Sequence, residues 1–148
     1  MKIYILIMLS FQSLCFSQDL EKIKSSDTIY IYFKRDKNQF ANTNNNLNLN
    51  NLNYYYNFGY VGTFQNTITF MHHYSLSPEE RKEKKSFLRK NKDLIITYEF
   101  LIKFNLEKAT DLIVNKKKVY MIDFDEIGWF FIKLKEVKVL GTYKPSIE

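Results

Sequence analysis

Two short clusters hold the side chains best suited to chemistry: His72-His73 and Asp123-Phe124-Asp125-Glu126. Imidazoles and carboxylates are common metal ligands and proton carriers. Three carboxylates at the end of an apolar segment suit a hard cation or acid–base work. Together, His72 or His73 with Asp123 or Asp125 would make a metal-assisted hydrolase. Two constraints oppose this. Adjacent strand residues point to opposite faces, so a regular strand cannot aim both imidazoles at one ion. Carboxylates at strand ends also serve as turn and helix-cap residues. The Gly-rich phosphate loop, the G-x-S-x-G elbow and the H-E-x-x-H motif are all missing from the sequence. The expectation is binding rather than catalysis, with no cofactor and no resident metal. His72, Asp123 and Asp125 are kept as candidate catalytic residues.

Binding candidates come from aromatic and basic side chains. Tyr54, Tyr56, Phe58, Tyr60 and Phe64 alternate along one segment, and Ile68, Phe70, His72 and Tyr74 along the next. Such a stripe is either a stacking platform or the core face of a sheet, and its match to the period of Leu94–Phe104 favours the core. Tyr30, Tyr32 and Tyr55 fall on the opposite faces of their segments and are the better candidates for exposed contact. Arg81, Lys85 and Arg89 lie in a basic stretch suited to an acidic partner. The chain carries +6, with 19 lysines and three arginines. Arg is the residue matched to bidentate phosphate recognition, so a Lys-dominated excess argues against nucleic acid. An unidentified protein or glycan is the expected partner.

These residues need a scaffold. Thr28–Lys34 alternates β-branched and aromatic residues and reads as a strand. Nine Asn among residues 42–57 predict a mobile loop over Asn38–Asn53. Tyr54–Phe64 and Thr67–Tyr74 form a hairpin if Phe64 pairs with Ile68 across Gln65-Asn66-Thr67, because that register puts both aromatic sets on one side. Ser77, Pro78 and Glu80 spell a capping box for a polar helix to about Asn91. Leu94–Phe104 reads as a half-buried strand. Leu106–Val114, with Asn105 before it and Asn115 after, reads as a short amphipathic helix. Val119–Phe124 is apolar on both faces, as a central strand would be. Trp129–Leu140 reads as a last strand whose apolar parity changes near Lys135, predicting a bulge. The sum is an α+β fold: an antiparallel or mixed sheet of about five or six strands with two helices.

Ahead of this domain, Lys2, the apolar run Ile3–Leu9 and the small-residue site Cys15-Phe16-Ser17 have the order of a secretory signal peptide. The reading is a leader over residues 1–17 and one domain over 18–148, exported to the periplasm or the medium. Leu14 and Gln12 are a poor context for lipid on Cys15, so a lipoprotein is the lesser alternative. No later segment is long and apolar enough to span a bilayer. Phe16-Ser17-Gln18 and the bias toward Asn, Lys, Ile, Tyr and Phe resemble exported proteins of Bacteroidota. Asp27-Thr28-Ile29 is similar to the O-glycosylation signal of that group, which implies a sugar on Thr28. Protein purified from native cells is expected to give an intact mass beginning at Gln18; a mass retaining Met1–Ser17 would refute export.

Overall fold

The structure, a computed structural model, describes residues 18–44, 53–59, 67–73 and 80–143. The leader, Tyr60–Asn66 and Ser77-Pro78 lie outside the described residues. The fold is α+β, as the sequence predicts, but its strands form two sheets rather than one.

Strand β1 (Thr28–Phe33) lies inside the five-stranded sheet, one place from its edge. It runs parallel to β6 (Ile95–Ile96) on one side and to β7 (Lys118–Asp123) on the other. β8 (Phe131–Glu136) pairs antiparallel with β7, and β5 (Glu80–Lys84) closes that edge on β8. The four-stranded sheet is wholly antiparallel: β2 (Gln39–Asn44), β3 (Asn53–Phe58), β4 (Thr67–His73) and β9 (Lys138–Tyr143) lie side by side in that order.

The main core forms where the two sheets meet the helices. Ile29, Ile31, Phe33 and Met121 come from the first sheet; Tyr56, Phe58, Ile68 and Phe70 come from the second. Helix α1 (Leu20–Ser25) adds Ile23, α3 (Tyr98–Phe104) adds Leu101, and α4 (Leu106–Val114) adds Ala109 and Ile113. Phe33 stands edge-on to Tyr56 and Phe58, at 4.9 and 5.6 Å, and so stitches the sheets together. A second cluster of Tyr30, Tyr120, Ile122, Ile132 and Leu134 covers the far face of the first sheet. Leu88 of α2 (Ser86–Lys90) packs into it. Burial on both faces explains why β1 and β7 are apolar at nearly every position.

Several expectations need correction. The predicted loop 38–53 begins with a strand, β2, whose Asn-rich backbone pairs with β3 from Gln39↔Phe58 to Asn44↔Asn53. The hairpin keeps its even-numbered aromatics inward, but Phe58, not Phe64, pairs with Ile68. The chain turns away at Gly59, where a Cβ would lie 2.6 Å from the Thr67 hydroxyl. The predicted helix from Ser77 is absent over Glu80–Lys84, which is strand β5. A helix polar on all sides has no face to bury, whereas the same residues satisfy the free edge of β8, and their lysines discourage further strand pairing. Leu94–Phe104 is a strand only at Ile95–Ile96. Thr97 then caps α3 by accepting from the Phe100 N–H, because a run apolar at most positions satisfies either period. The polar stretch Gln18–Ser26 contains α1 capped by Asp19.

Trp129–Leu140 is not one bulged strand. β8 ends at Glu136, the Val137 N–H makes a last bond to the Val119 carbonyl at 2.9 Å, and β9 continues into the other sheet. The parity change marks that crossing. The bulge lies farther on: Leu140 is skipped in the pairing of β4 with β9, beside Gly141 at φ 101°. Among the described residues four α-helices stand where two were expected; α4, with Asn105 and Asn115 at its ends, matches the sequence reading.

Phe33→Ala is expected to lower the unfolding free energy by about 3–5 kcal/mol, since it opens a cavity between two sheets that cannot both collapse onto it. Urea unfolding of the two proteins measures the difference.

Candidate functional site

The first sheet brings its polar residues together at one edge. β1 and β7 run parallel, with Phe33 opposite Asp123. Their carboxyl ends therefore deliver Lys34-Arg35 and Asp123–Glu126 to the same place, where open sheets commonly place ligands. Asp123 caps the single 3-10 turn Phe124–Glu126 by accepting from the Asp125 N–H at 3.1 Å. Asp125 meets the Arg35 guanidinium at 3.2 Å, and Arg35 also donates to the Tyr54 hydroxyl at 2.5 Å.

Beneath this turn lies Lys135, only 8 % exposed. Its ammonium lies 2.5 Å from one Glu126 oxygen and donates to the Tyr56 hydroxyl at 3.3 Å. It also sits 5.3 Å from the centre of the Tyr54 ring, a favourable cation–π distance. The other Glu126 carboxylate oxygen is buried with no hydrogen-bond partner among the described residues. Burial, then the nearby Asp123 and Glu126 charges, pushes the Tyr56 hydroxyl far above its usual range. Burial also raises the Asp123 carboxyl, with Glu126 adding to the rise and Lys135 opposing it.

This cluster anchors a projecting loop. After Glu126 the chain passes Ile127 and Gly128, whose N–H donates to the Phe131 carbonyl at 2.9 Å. That bond leaves Trp129 and Phe130 at the corner. Trp129 is 90 % exposed, Phe130 75 % and Phe131 55 %. Phe124 at the loop's start is held by Lys34, 5.2 Å from its ring, and lies edge-on to Tyr32. On the other side the Lys85 N–H donates to the Phe130 carbonyl at 2.8 Å, and Lys84 lies opposite Phe131. Glycine and short polar residues are the usual occupants of such corners, whereas Trp129 and Phe130 stand here largely in water.

The sequence candidates fare differently. Asp123 and Asp125 belong to the cluster. His72 is buried on the aromatic face, and its Nδ1 lies 2.7 Å from the Glu136 carbonyl, which fixes the proton on that nitrogen. His73 lies half-buried, on the opposite side of β4. Among the described residues no three of His, Cys, Asp and Glu form a metal-holding group.

Tyr30, expected to be exposed, is buried between Tyr120 and Phe87, because β1 is covered on both faces. Tyr32 and Tyr55 are half-buried; burial and the Asp125 charge push the Tyr32 hydroxyl up to about 12. Arg81 is exposed and pairs with Glu83 at 2.6 Å. Arg89 is exposed on α2, and Lys85 is exposed beside the aromatic loop.

Sequence reasoning singled out Glu126 as a carboxylate and Tyr56 as a core aromatic, but it missed Arg35 and the burial of Lys135 between them, because these groups come together only across the two sheets. It also missed Trp129–Phe131. Their signal was three adjacent aromatics directly after a glycine, which no alternating strand can bury together.

The chain matches no protein-family model, and comparison with curated proteins and with solved structures finds no match either.

The raised Asp123 carboxyl has a signed consequence. A carboxyl raised in the folded state stabilises the fold below its ordinary value of 3.8, and that stability is lost as pH rises through the folded value. Asp123→Asn mimics the protonated form and keeps the acceptor for the Asp125 N–H. The variant is expected to be more stable than the parent at about pH 7, with the difference shrinking toward about pH 4. Denaturant midpoints across that range measure it; a constant difference would refute ionic strain at Asp123.

Proposed function

We propose that this is an exported, non-enzymatic interaction protein of the cell envelope that binds through the loop of Trp129, Phe130 and Phe131. The observation that carries this reading is the exposure of three consecutive aromatics on a loop held by ion pairs at its base. Contiguous apolar surface of this kind marks interaction sites. Trp and Phe are also among the residues enriched in binding interfaces. Export rests on the residue order of Met1–Ser17. Among the described residues no helix is long and apolar enough to cross a membrane.

The hydrolase alternative requires His72 or His73 to share a ligand set with Asp123 or Asp125. No geometry favours it, since the His72 ring is committed to the Glu136 carbonyl. The other alternative, a structural component of an envelope complex, predicts neither an exposed aromatic or basic patch nor a polar pocket, so the exposed corner favours the interaction reading.

The test is a photo-crosslinking residue placed at Phe130 in native cells, with one at exposed Lys108 on α4 as the control. Adducts at position 130 well above those at 108 are expected. Equal background at both positions would overturn the interaction reading.

A further inference from the structure

Resting on that reading, the surface around the loop points to one partner. The strand register places Lys82 opposite Lys133 and Lys84 opposite Phe131. Paired residues share a face, so Phe131, Lys84, Lys82 and Lys133 lie on one side of the β5–β8 edge. Just past β5, the Lys85 backbone is bonded to that of Phe130, and Lys85 is exposed there. Lys82 and Lys84 are exposed on this face. Glu80, opposite Lys135, shares the face at its far end; the acids nearer the aromatic corner are engaged elsewhere. Asp125 is turned to Arg35, Glu126 to Lys135, and Glu83 to Arg81 on the other face. The result is a projecting aromatic corner bordered by cations.

We infer that this corner inserts into the surface of an anionic bilayer, with Trp129 and Phe130 at the acyl boundary and Lys82, Lys84 and Lys85 on the headgroups. Three features select this partner. The aromatics project from a turn rather than lining a groove, so they fit a deformable phase better than a rigid ligand. Trp in particular favours the membrane–water boundary, where its ring is apolar and its N–H stays wet. Lysines near an anionic leaflet each add attraction that falls off within a screening length. A second copy of this chain meeting the same surface would oppose lysine to lysine.

Trp129 is the chain's sole tryptophan, so its fluorescence reports insertion with no label and no mutation. The probes are vesicles of phosphatidylcholine mixed with phosphatidylglycerol, and vesicles of phosphatidylcholine alone. With the anionic vesicles, Trp129 emission is expected to shift to the blue and its quenching by acrylamide to fall. Added salt should reverse both effects. Lys82→Ala, Lys84→Ala and Lys85→Ala should each weaken vesicle binding about fivefold. Phe130→Ala should weaken it at least about tenfold. All four positions are exposed, and circular dichroism confirms that each variant is folded.

Unchanged Trp129 emission with anionic vesicles would overturn the inference. So would an equal shift with neutral vesicles, which would leave the lysines no role. If the vesicles fail while crosslinks at Phe130 reach a protein, the lipid partner is refuted and the interaction reading stands. Failure of both experiments refutes both.

Discussion

The ammonium of Lys135 is the point at which the parts of this protein are tied together. A charge taken out of water must be paired and hydrogen-bonded, or the structure rearranges to expose it. Here one group from β8 is satisfied by Glu126 at the end of the 3-10 turn and by Tyr56 and Tyr54 of the second sheet. Those partners belong to two separate pieces of chain, the 3-10 turn and β3, and Lys135 to a third. The same contact therefore sets how the sheets face each other and where the projecting loop begins. Replacing the pair with apolar side chains would be tolerable for stability alone. What the charged version adds is a fixed base for residues 124–131.

The aromatic corner illustrates how a functional surface can be read from a conflict. Elsewhere local preference and tertiary role agree: Thr97 and Asn105 cap helices, and valines, isoleucines and aromatics fill the strands. At residues 129–130 they disagree, since large apolar side chains occupy a turn and face water. At β5 they disagree again, since five charged residues that follow a helix-start signal form an edge strand. Both conflicts fall on the same edge. Sequences that otherwise satisfy local rules tend to break them where a surface has work to do.

Much of the fold was legible where a single period dominates. β1 and β7 announced themselves by β-branched and aromatic residues, α4 by its stripe and its asparagine caps. Segments that fit two periods misled. Leu94–Phe104 is apolar at too many positions to choose between strand and helix, and only the Thr97 cap decides it. Glu80–Lys84 carried a strong helix-start signal yet forms an edge strand, because the partner waiting on β8 lies far away in sequence. The candidate site was legible in part. Asp123 and Asp125 stood out as carboxylates at a strand end, but Lys135 looked like any exposed lysine in an alternating strand. Its burial depends on the second sheet crossing above it, which no local pattern encodes.

The position of β1 has a consequence for how the molecule comes into being. This strand lies inside the first sheet, yet its neighbours come from much later in the chain: Tyr30 pairs with Ile95, and Thr28 with Lys118. Among the described strands the second sheet is likewise completed late, by β9. Contacts this distant in sequence close slowly, and β1 cannot gain both neighbours until β7 has left the ribosome. Until then one side of β1 has no strand to pair with, and the main core lacks Val119 and Met121.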